Sequence, residues 1–112
     1  MYVQKLPQKI SFDKVGIRGK IYPKVSDSQK SHFLVIETEK GHETKILEKE
    51  CDFYYFILEG KGQFEIDGVK EKCEKGDLVV IPKGKAFQYF GKLKMLLVTT
   101  PVWWPEQEET LI

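Results

Sequence analysis

The side chains most able to do chemistry in this chain are one lysine and two tyrosines. Lys49 carries an amine, and an amine that is removed from water can act as a base or a nucleophile. Tyr55 and Tyr89 carry phenols, which can act as proton donors. A base paired with such an acid is what a metal-independent isomerase acting on a sugar or keto substrate requires. No spacing rule singles out these three residues, so they are catalytic candidates by residue type alone.

A metal centre would need ligand side chains of which this chain has few. A catalytic Zn, Fe or Mn site uses about three imidazole or carboxylate ligands. The chain has two histidines, His32 and His42, and they fall at the starts of different predicted strands. We expect both at the surface or at a rim, and we predict no metal and no cofactor.

The composition indicates a globular domain with balanced charge. Of 112 residues, 41% are hydrophobic and 31% are charged, with a formal net charge of +1. Such a chain has no overall field to attract nucleic acid, and it has no apolar run long enough to span a membrane. Its first ten residues lack the apolar centre of a signal peptide, so we expect a cytoplasmic protein. Cys51 and Cys73 are too few for a disulfide framework and are expected to be free thiols.

The hydrophobic pattern predicts short strands joined by glycine-rich turns, with no helical period of useful length. Residues 31–39 form a strand rich in β-branched and aromatic side chains, and Asp67-Gly68 forms a two-residue hairpin turn. Residues 78–81 read as a buried strand, and the glycines of 59–62 read as a turn. Further strands are expected at 15–22, 43–48, 53–58, 86–90 and 94–100. No strand is expected beyond Pro105. Strands at intervals of about ten residues indicate a β-sandwich or barrel.

Two stretches, 41–60 (GHETKILEKECDFYYFILEG) and 76–91 (GDLVVIPKGKAFQYFG), resemble the two motifs of the cupin family. The motif positions fall on Gly41, Leu47, Lys49, Phe53 and Gly60 in the first stretch, and on Gly76, Pro82, Gly84, Phe87 and Gly91 in the second. The resemblance implies an all-β jelly-roll barrel, a double-stranded β-helix of two antiparallel sheets. We expect one domain over 1–112, with N-terminal strands in 1–30, a barrel core at about 31–101 and a tail at 102–112.

In metal-binding cupins the ligand positions carry three histidines and a glutamate, whereas here they carry Leu47, Lys49, Phe53 and Phe87. The resemblance therefore implies a metal-free, largely apolar interior. Because side chains alternate along a strand, Tyr55 shares the face of Phe53, and Tyr89 shares that of Phe87. The expected ligand-binding set is Leu47, Lys49, Phe53, Tyr55, Phe87 and Tyr89.

Three functions stay open on these grounds. The chain could bind a small organic or carbohydrate-like ligand in an aromatic-lined interior. It could be a metal-independent isomerase or epimerase, or a filled barrel that serves as a structural or interaction module. Because burying an unpaired ammonium group is costly, Lys49 would reach the barrel mouth, pair with a carboxylate or bind an anionic group of a ligand. Family habit and exposed strand edges lead us to expect a homodimer, with no nucleic-acid or membrane partner. We expect Trp103 and Trp104 to pack on the barrel or on a second subunit.

Overall fold

The computed structural model describes residues 2–111 and is built from nine β-strands within that range. Their bounds are β1 Phe12–Lys14, β2 Ile17–Ile21, β3 His32–Thr38, β4 Lys45–Glu48, β5 Asp52–Ile66, β6 Val69–Glu74, β7 Leu78–Ile81, β8 Ala86–Thr100 and β9 Glu108–Leu111. A 3₁₀ turn, Pro105–Gln107, precedes β9. Residues 1 and 112, the ends of the predicted domain, lie outside the described residues.

The two 15-residue strands β5 and β8 pair along their length and belong to two layers. In the first layer, the start of β5 pairs with β7 and with the end of β8, which pairs with β3 and through it with β2. In the second layer, the end of β5 pairs with β6 and with the start of β8, which pairs with β4 and through it with β9. All these pairings are antiparallel. The predicted all-β, cupin-type barrel of two antiparallel sheets is confirmed.

Glycines mark the line where the two long strands bend together from one layer into the other. The predicted turn at 59–62 is wrong, since β5 runs through it with one register shift after Ile57. A Cβ on Gly62 would collide with the carbonyl oxygen of Phe90, and a Cβ on Gly91 would lie 2.8 Å from the Cα of Gly62. Glycine is needed here for close approach of two backbones, not for a turn. For the same reason the predicted strands 86–90 and 94–100 are one strand, β8.

Several local predictions are confirmed by the strand bounds. The strand expected at 31–39 is β3, and the strand at 78–81 is β7. Asp67 and Gly68 link β5 to β6 with positive φ values of 51° and 82°, as a two-residue hairpin requires. The burial predicted for β7 is wrong, however, because Leu78 and Val80 are 58% and 49% exposed on the outer face.

The C-terminal tail forms a strand, contrary to prediction. Pro105 begins a single 3₁₀ turn, where its missing N–H breaks no ladder. The chain then resumes an extended conformation at Glu108, and β9 pairs with β4 over its whole length. This pairing places Glu108, the first residue of β9, opposite the buried Glu48 of β4.

The core lies between the two layers, where alternate side chains of β3, β4, β5 and β8 meet. Both cysteines, Cys51 and Cys73, are buried and free. Within residues 2–111 there is no helix with the length and apolar character needed to cross a bilayer.

Candidate functional site

Strand β4 turns a glutamate toward the interior in place of the predicted leucine and lysine. Ile46 and Glu48 are 3% and 2% exposed, whereas Leu47 is half-buried and Lys49 is exposed. Because side chains alternate on a strand, the two pairs occupy opposite faces. Ile46 also lies opposite the buried Phe87 of β8. The expectation that Leu47 and Lys49 line the interior is therefore corrected: the motif spacing was counted one residue out of phase with the strand.

Four of the predicted ligand-binding residues, Phe53, Tyr55, Phe87 and Tyr89, do meet in the interior. Each is at most 4% exposed. The ring centroids lie 5.8 Å apart for Phe53 and Phe87 and 5.4 Å apart for Tyr55 and Tyr89. Phe64, which the sequence did not single out, lies 5.0 Å from Tyr89. These five rings, the aromatic cluster, fill space between the layers in tilted and edge-on contacts.

His42 is the polar neighbour of the aromatic cluster and not the surface or rim residue that was expected. It is 7% exposed, and its ring lies edge-on to Tyr89 with centroids 5.6 Å apart. Its shortest polar contact joins Nδ1 to the carbonyl oxygen of Thr44 at 2.8 Å. Nδ1 also lies 3.3 Å from the backbone nitrogen and from the hydroxyl oxygen of Thr44. Because the contact with the carbonyl oxygen, which can only accept, is the shortest, we assign the proton to Nδ1 and the lone pair to Nε2. Burial lowers the pKa of His42 below its usual 6.5, so the neutral ring dominates at neutral pH.

The hydroxyl of Tyr89 is buried and has no hydrogen-bond partner among the described residues. Burial raises the pKa of both Tyr89 and Tyr55, so both phenols keep their protons at neutral pH. A buried hydroxyl without a partner costs about 1–3 kcal/mol. An oxygen or nitrogen of a bound ligand is one partner that would remove this cost.

Glu48 receives hydrogen bonds from two side chains of the C-terminal segment. Trp103 Nε1 donates to Oε1 over 2.9 Å, and Gln107 Nε2 donates to the same oxygen over 2.6 Å. The other oxygen, Oε2, is buried and accepts no hydrogen bond from an N–H or O–H group of the described residues. Burial, then a side-chain hydrogen bond with Glu108 on β9 and the charge of that residue, raise the pKa of Glu48 from 4.5 to about 8. A neutral carboxylic acid is therefore the favoured form at neutral pH.

The interior thus combines one neutral imidazole, two phenols and one protonated carboxyl group. The imidazole can take a proton at Nε2, and the phenols and the carboxylic acid can donate hydrogen bonds or protons. In the part of the chain that the structure describes, no three histidine, cysteine, aspartate or glutamate side chains are grouped so as to hold a metal ion.

Sequence reasoning missed His42, Glu48 and Glu108. A signal existed for Glu48, because it shares one face of the predicted strand 43–48 with Ile46. Glu108 was missed because the tail was not expected to form a strand. The position of His42 depends on a long-range contact, the hydrogen bond from its backbone N–H to the carbonyl oxygen of Tyr89.

Sequence comparisons add little information about the function of this chain. No protein-family model matches it. A curated relative, an uncharacterized protein of Aquifex aeolicus (strain VF5), is 32% identical over 78 residues. That match covers 70% of this chain and 62% of the relative, so the chain spans less than two thirds of the relative's length.

Comparisons of structure are more extensive. Streptomyces PAC13 (H42Q) with uridine superposes with a TM-score of 0.90 and 20% identity, covering 100% of this chain and 92% of that one. Its Y55F and Y89F forms with uridine match equally well, and Pac13 is described as a unique nucleoside dehydratase. Ectoine synthase from P. lautus has a TM-score of 0.76 at 16% identity, covering 100% and 91%. The cupin domain of Schizosaccharomyces pombe Cnp3 has a TM-score of 0.62 at 17% identity, covering 74% and 64%. At sequence identities this low, the comparisons show that these proteins share a fold with this chain and nothing further.

Proposed function

We propose that this chain, whose fold is that of solved cupin proteins, is a metal-independent dehydratase. Its substrate is a small sugar-derived carbonyl compound, with nucleosides as the first class to test. His42 is the base, and Tyr55 and Tyr89 supply the acidic hydroxyls. The aromatic cluster is the wall against which the substrate lies.

The observation that carries this proposal is the contact between His42 and Tyr89. A neutral imidazole with a free Nε2 lies against a buried phenol whose hydroxyl has no partner among residues 2–111. Tyr55 lies on the other side of Tyr89, with the two rings 5.4 Å apart. A base and an acid held side by side in a water-poor interior are what a proton-transfer reaction needs.

The proposed step removes water from the substrate. Nε2 of His42 takes a proton from the carbon next to the carbonyl group. The electron pair left behind forms a carbon–carbon double bond as the bond from the next carbon to its hydroxyl breaks. The departing oxygen takes a proton from a tyrosine hydroxyl and leaves as water. The proton on His42 then returns to the phenolate, which restores the enzyme and leaves an unsaturated carbonyl product and one water.

The solved neighbours support the choice of reaction class. The PAC13 structures with uridine carry replacements of a histidine and two tyrosines at the numbers that His42, Tyr55 and Tyr89 have here. In this chain the ring of Tyr89 contacts both His42 and Tyr55, and the three residues come from two strands and one loop. The same residue types in one interior favour the same type of proton transfer.

A second candidate, binding without turnover, is favoured by the close packing of the aromatic cluster. Its five rings are each at most 4% exposed, so the barrel centre is largely filled by side chains. A filled barrel of this kind suits a small-ligand sensor or an interaction module. The isomerase considered from the sequence would use the same base and acid but would release no water.

The test is an assay of the purified protein with uridine and with aldehydes and ketones derived from nucleosides and sugars. We expect loss of one water from a substrate, detected by mass spectrometry and by absorbance of the new conjugated double bond. His42→Gln should abolish the reaction, while the matched control His32→Gln, on a separate strand, should retain it. An isomeric product without loss of water would favour the isomerase. Binding without any product would favour the sensor.

We also propose that the chain forms a homodimer through the outer face of the first layer. Phe33, Phe56, Leu78 and Val80 are 39–58% exposed there. Phe56 and Leu78 lie on neighbouring strands and pair directly, so these side chains form a continuous apolar surface. A flat apolar sheet face can meet its own copy across a two-fold axis.

A cytoplasmic location is proposed on separate grounds. The free thiols of Cys51, between β4 and β5, and of Cys73, on β6, are buried and suit a reducing compartment. Fractionation of cells that express a tagged chain tests this location directly.

A further inference from the structure

We propose that Gln88 is a positioning residue for the candidate base: from the outer face of β8, its side-chain amide holds the backbone of His42 so that the imidazole stays against Tyr89. The use of this arrangement in turnover rests on the proposed function. The arrangement itself is a property of the free protein, so it can be measured without a substrate.

His42 lies between β3 and β4, at a point where the chain leaves its ladder with β8. Its backbone N–H donates to the carbonyl oxygen of Tyr89 on β8 over 2.9 Å. The next N–H, that of Glu43, donates instead to the carbonyl oxygen of Val15, between β1 and β2, over 2.8 Å. Pairing with β8 resumes at Ile46, in β4. The ladder is therefore interrupted directly after His42.

Gln88 binds the other backbone polar group of His42. Its Nε2 donates to the carbonyl oxygen of His42 over 2.9 Å. Because side chains alternate along β8, Phe87 and Tyr89 face the interior, while Gln88 lies half-buried on the outer face. Two consecutive residues of β8 therefore hold the His42 backbone: Gln88 donates to its carbonyl oxygen, and Tyr89 accepts from its N–H.

These contacts leave the imidazole with a defined position and direction. The backbone of His42 is held at both polar groups, and the contact of Nδ1 with the carbonyl oxygen of Thr44 at 2.8 Å restrains rotation of the ring. A displacement of about 1 Å in a catalytic group can lower a rate by about 100-fold. A hydrogen bond that fixes the backbone of the base therefore affects proton transfer, although Gln88 itself lies outside the interior.

Burial is the main influence on the titration of His42. It is the largest cause of the lowered pKa of this residue, and the carboxylates of Glu108, on β9, and Glu43 oppose it. Lys14 on β1 lowers the pKa further, and the neutral phenol of Tyr89 packs against the ring. If the segment were freed from β8, water would reach the imidazole and its pKa would rise toward 6.5. The titration of His42 therefore reports whether the segment is held.

NMR of the isotope-labelled free protein tests the proposal without any ligand. Nitrogen chemical shifts of an imidazole show which ring nitrogen carries the proton, and His42→Gln assigns the signals of the two histidines. Gln88→Met keeps the length of the side chain but removes the donor. It should raise the pKa of His42 toward 6.5 and weaken the preference for a proton on Nδ1. Gln88→Thr, which is too short to reach the His42 carbonyl oxygen, should have the same effect.

Gln63→Met is the matched control. Gln63 lies on the outer face of β5, the strand paired with β8, so the same change of residue type is made on the same face of the second layer. It should leave the pKa and the tautomer of His42 as in the wild type. Either Gln88 variant decides the question by itself if the other does not fold. An unchanged titration and tautomer of His42 would overturn the proposal, as would an equal change in Gln63→Met.

Turnover gives a second measurement. Gln88→Met should lower kcat by about 10-fold or more with little change in KM, because Gln88 aligns the base and does not touch the substrate. The midpoint of the pH dependence of kcat/KM should rise together with the pKa measured by NMR. A shifted NMR titration with an unchanged kcat would overturn the role of Gln88 in turnover.

The outcomes keep this inference apart from the proposed function. If no substrate is dehydrated but the titration of His42 shifts in Gln88→Met, the dehydratase fails and the positioning of His42 by Gln88 is supported. If the wild type dehydrates a substrate and Gln88→Met changes neither kcat nor the titration, the positioning role fails and the dehydratase stands.

Discussion

At the scale of single residues, the interior contains polar atoms that packing alone does not explain. The hydroxyl of Tyr89 is buried without a hydrogen-bond partner among the described residues, within a closely packed aromatic cluster. A phenylalanine would pack there without leaving a polar atom unsatisfied. Buried polar groups of this kind in native proteins call for an explanation, and ligand contact is the one we propose.

Tyr89→Phe should therefore separate stability from function. The free energy of unfolding in urea should stay the same or rise by about 1 kcal/mol, because an unpaired buried hydroxyl is removed. Turnover should fall by about 100-fold, the usual contribution of an acid–base group. Tyr54→Phe, on the opposite face of β5, should leave turnover unchanged. A large loss of stability in Tyr89→Phe would show that the hydroxyl has a structural partner.

His42 should impose a pH dependence on both turnover and stability. Burial lowers its folded pKa below 6.5, so the decline of kcat/KM with falling pH should have its midpoint below 6.5. For a lowered folded pKa, the stabilising contribution is present above 6.5 and is lost as the pH falls through the folded value. Wild type should thus lose stability relative to His42→Gln as the pH falls below 6.5, as measured by urea unfolding. Parallel stability curves for the two proteins would contradict a lowered pKa.

At the scale of elements, the site depends on where the long strands bend and where the tail returns. The bend at Gly60, Gly62 and Gly91 carries β5 and β8 from one layer to the other, so that residues of both strands face one interior. The return of β9 along β4 brings Gln107 and Glu108 to Glu48. Each feature joins segments that are distant in sequence.

Gly62→Ala should destabilise the fold more than a substitution at a glycine with free space around it. The added Cβ collides with the carbonyl oxygen of Phe90 in the paired strand, so backbone must move, at a cost of about 3 kcal/mol. Gly76→Ala meets no atom within 4 Å, and its positive φ of 94° should cost about 1 kcal/mol. Urea unfolding of the two variants gives the comparison. Equal losses would show that the strands can separate at the bend without penalty.

At the scale of the whole molecule, the first layer carries apolar side chains on both its inner and its outer face. Its inner face is the core, and its outer face carries exposed Phe33, Phe56, Leu78 and Val80. The second layer shows more charge on its outer side, where Lys45 lies 3.8 Å from Glu65. This asymmetry is the reason for placing a dimer interface on the first layer.

Size-exclusion chromatography with light scattering should give the mass of a dimer for the wild type. Leu78→Glu should give a monomer with unchanged stability, because a 58% exposed side chain contributes little to the fold of one chain. Val69→Glu, at a position 60% exposed near the β5–β6 hairpin, should remain dimeric. A monomeric wild type would overturn the proposed interface.

The sequence by itself determined the fold class and the aromatic character of the interior. Alternation, turn residues such as Asp67-Gly68 and the motif glycines are local signals, and they predicted the β-strands and the inward position of Phe53, Tyr55, Phe87 and Tyr89. Such signals suffice because they depend on the period of a strand and on the φ values of a turn.

Only the tertiary structure decided the polar part of the candidate site. His42, Glu48 and Glu108 lie on separate segments. Their burial, and the shifted pKa values of His42 and Glu48, depend on strand register and on the return of the tail as β9. The phase of β4 was also settled by pairing, since one residue of slip exchanges Glu48 for Lys49 at the interior. Desolvation and charge–charge interactions arise between groups far apart in sequence, so no local pattern could have revealed them.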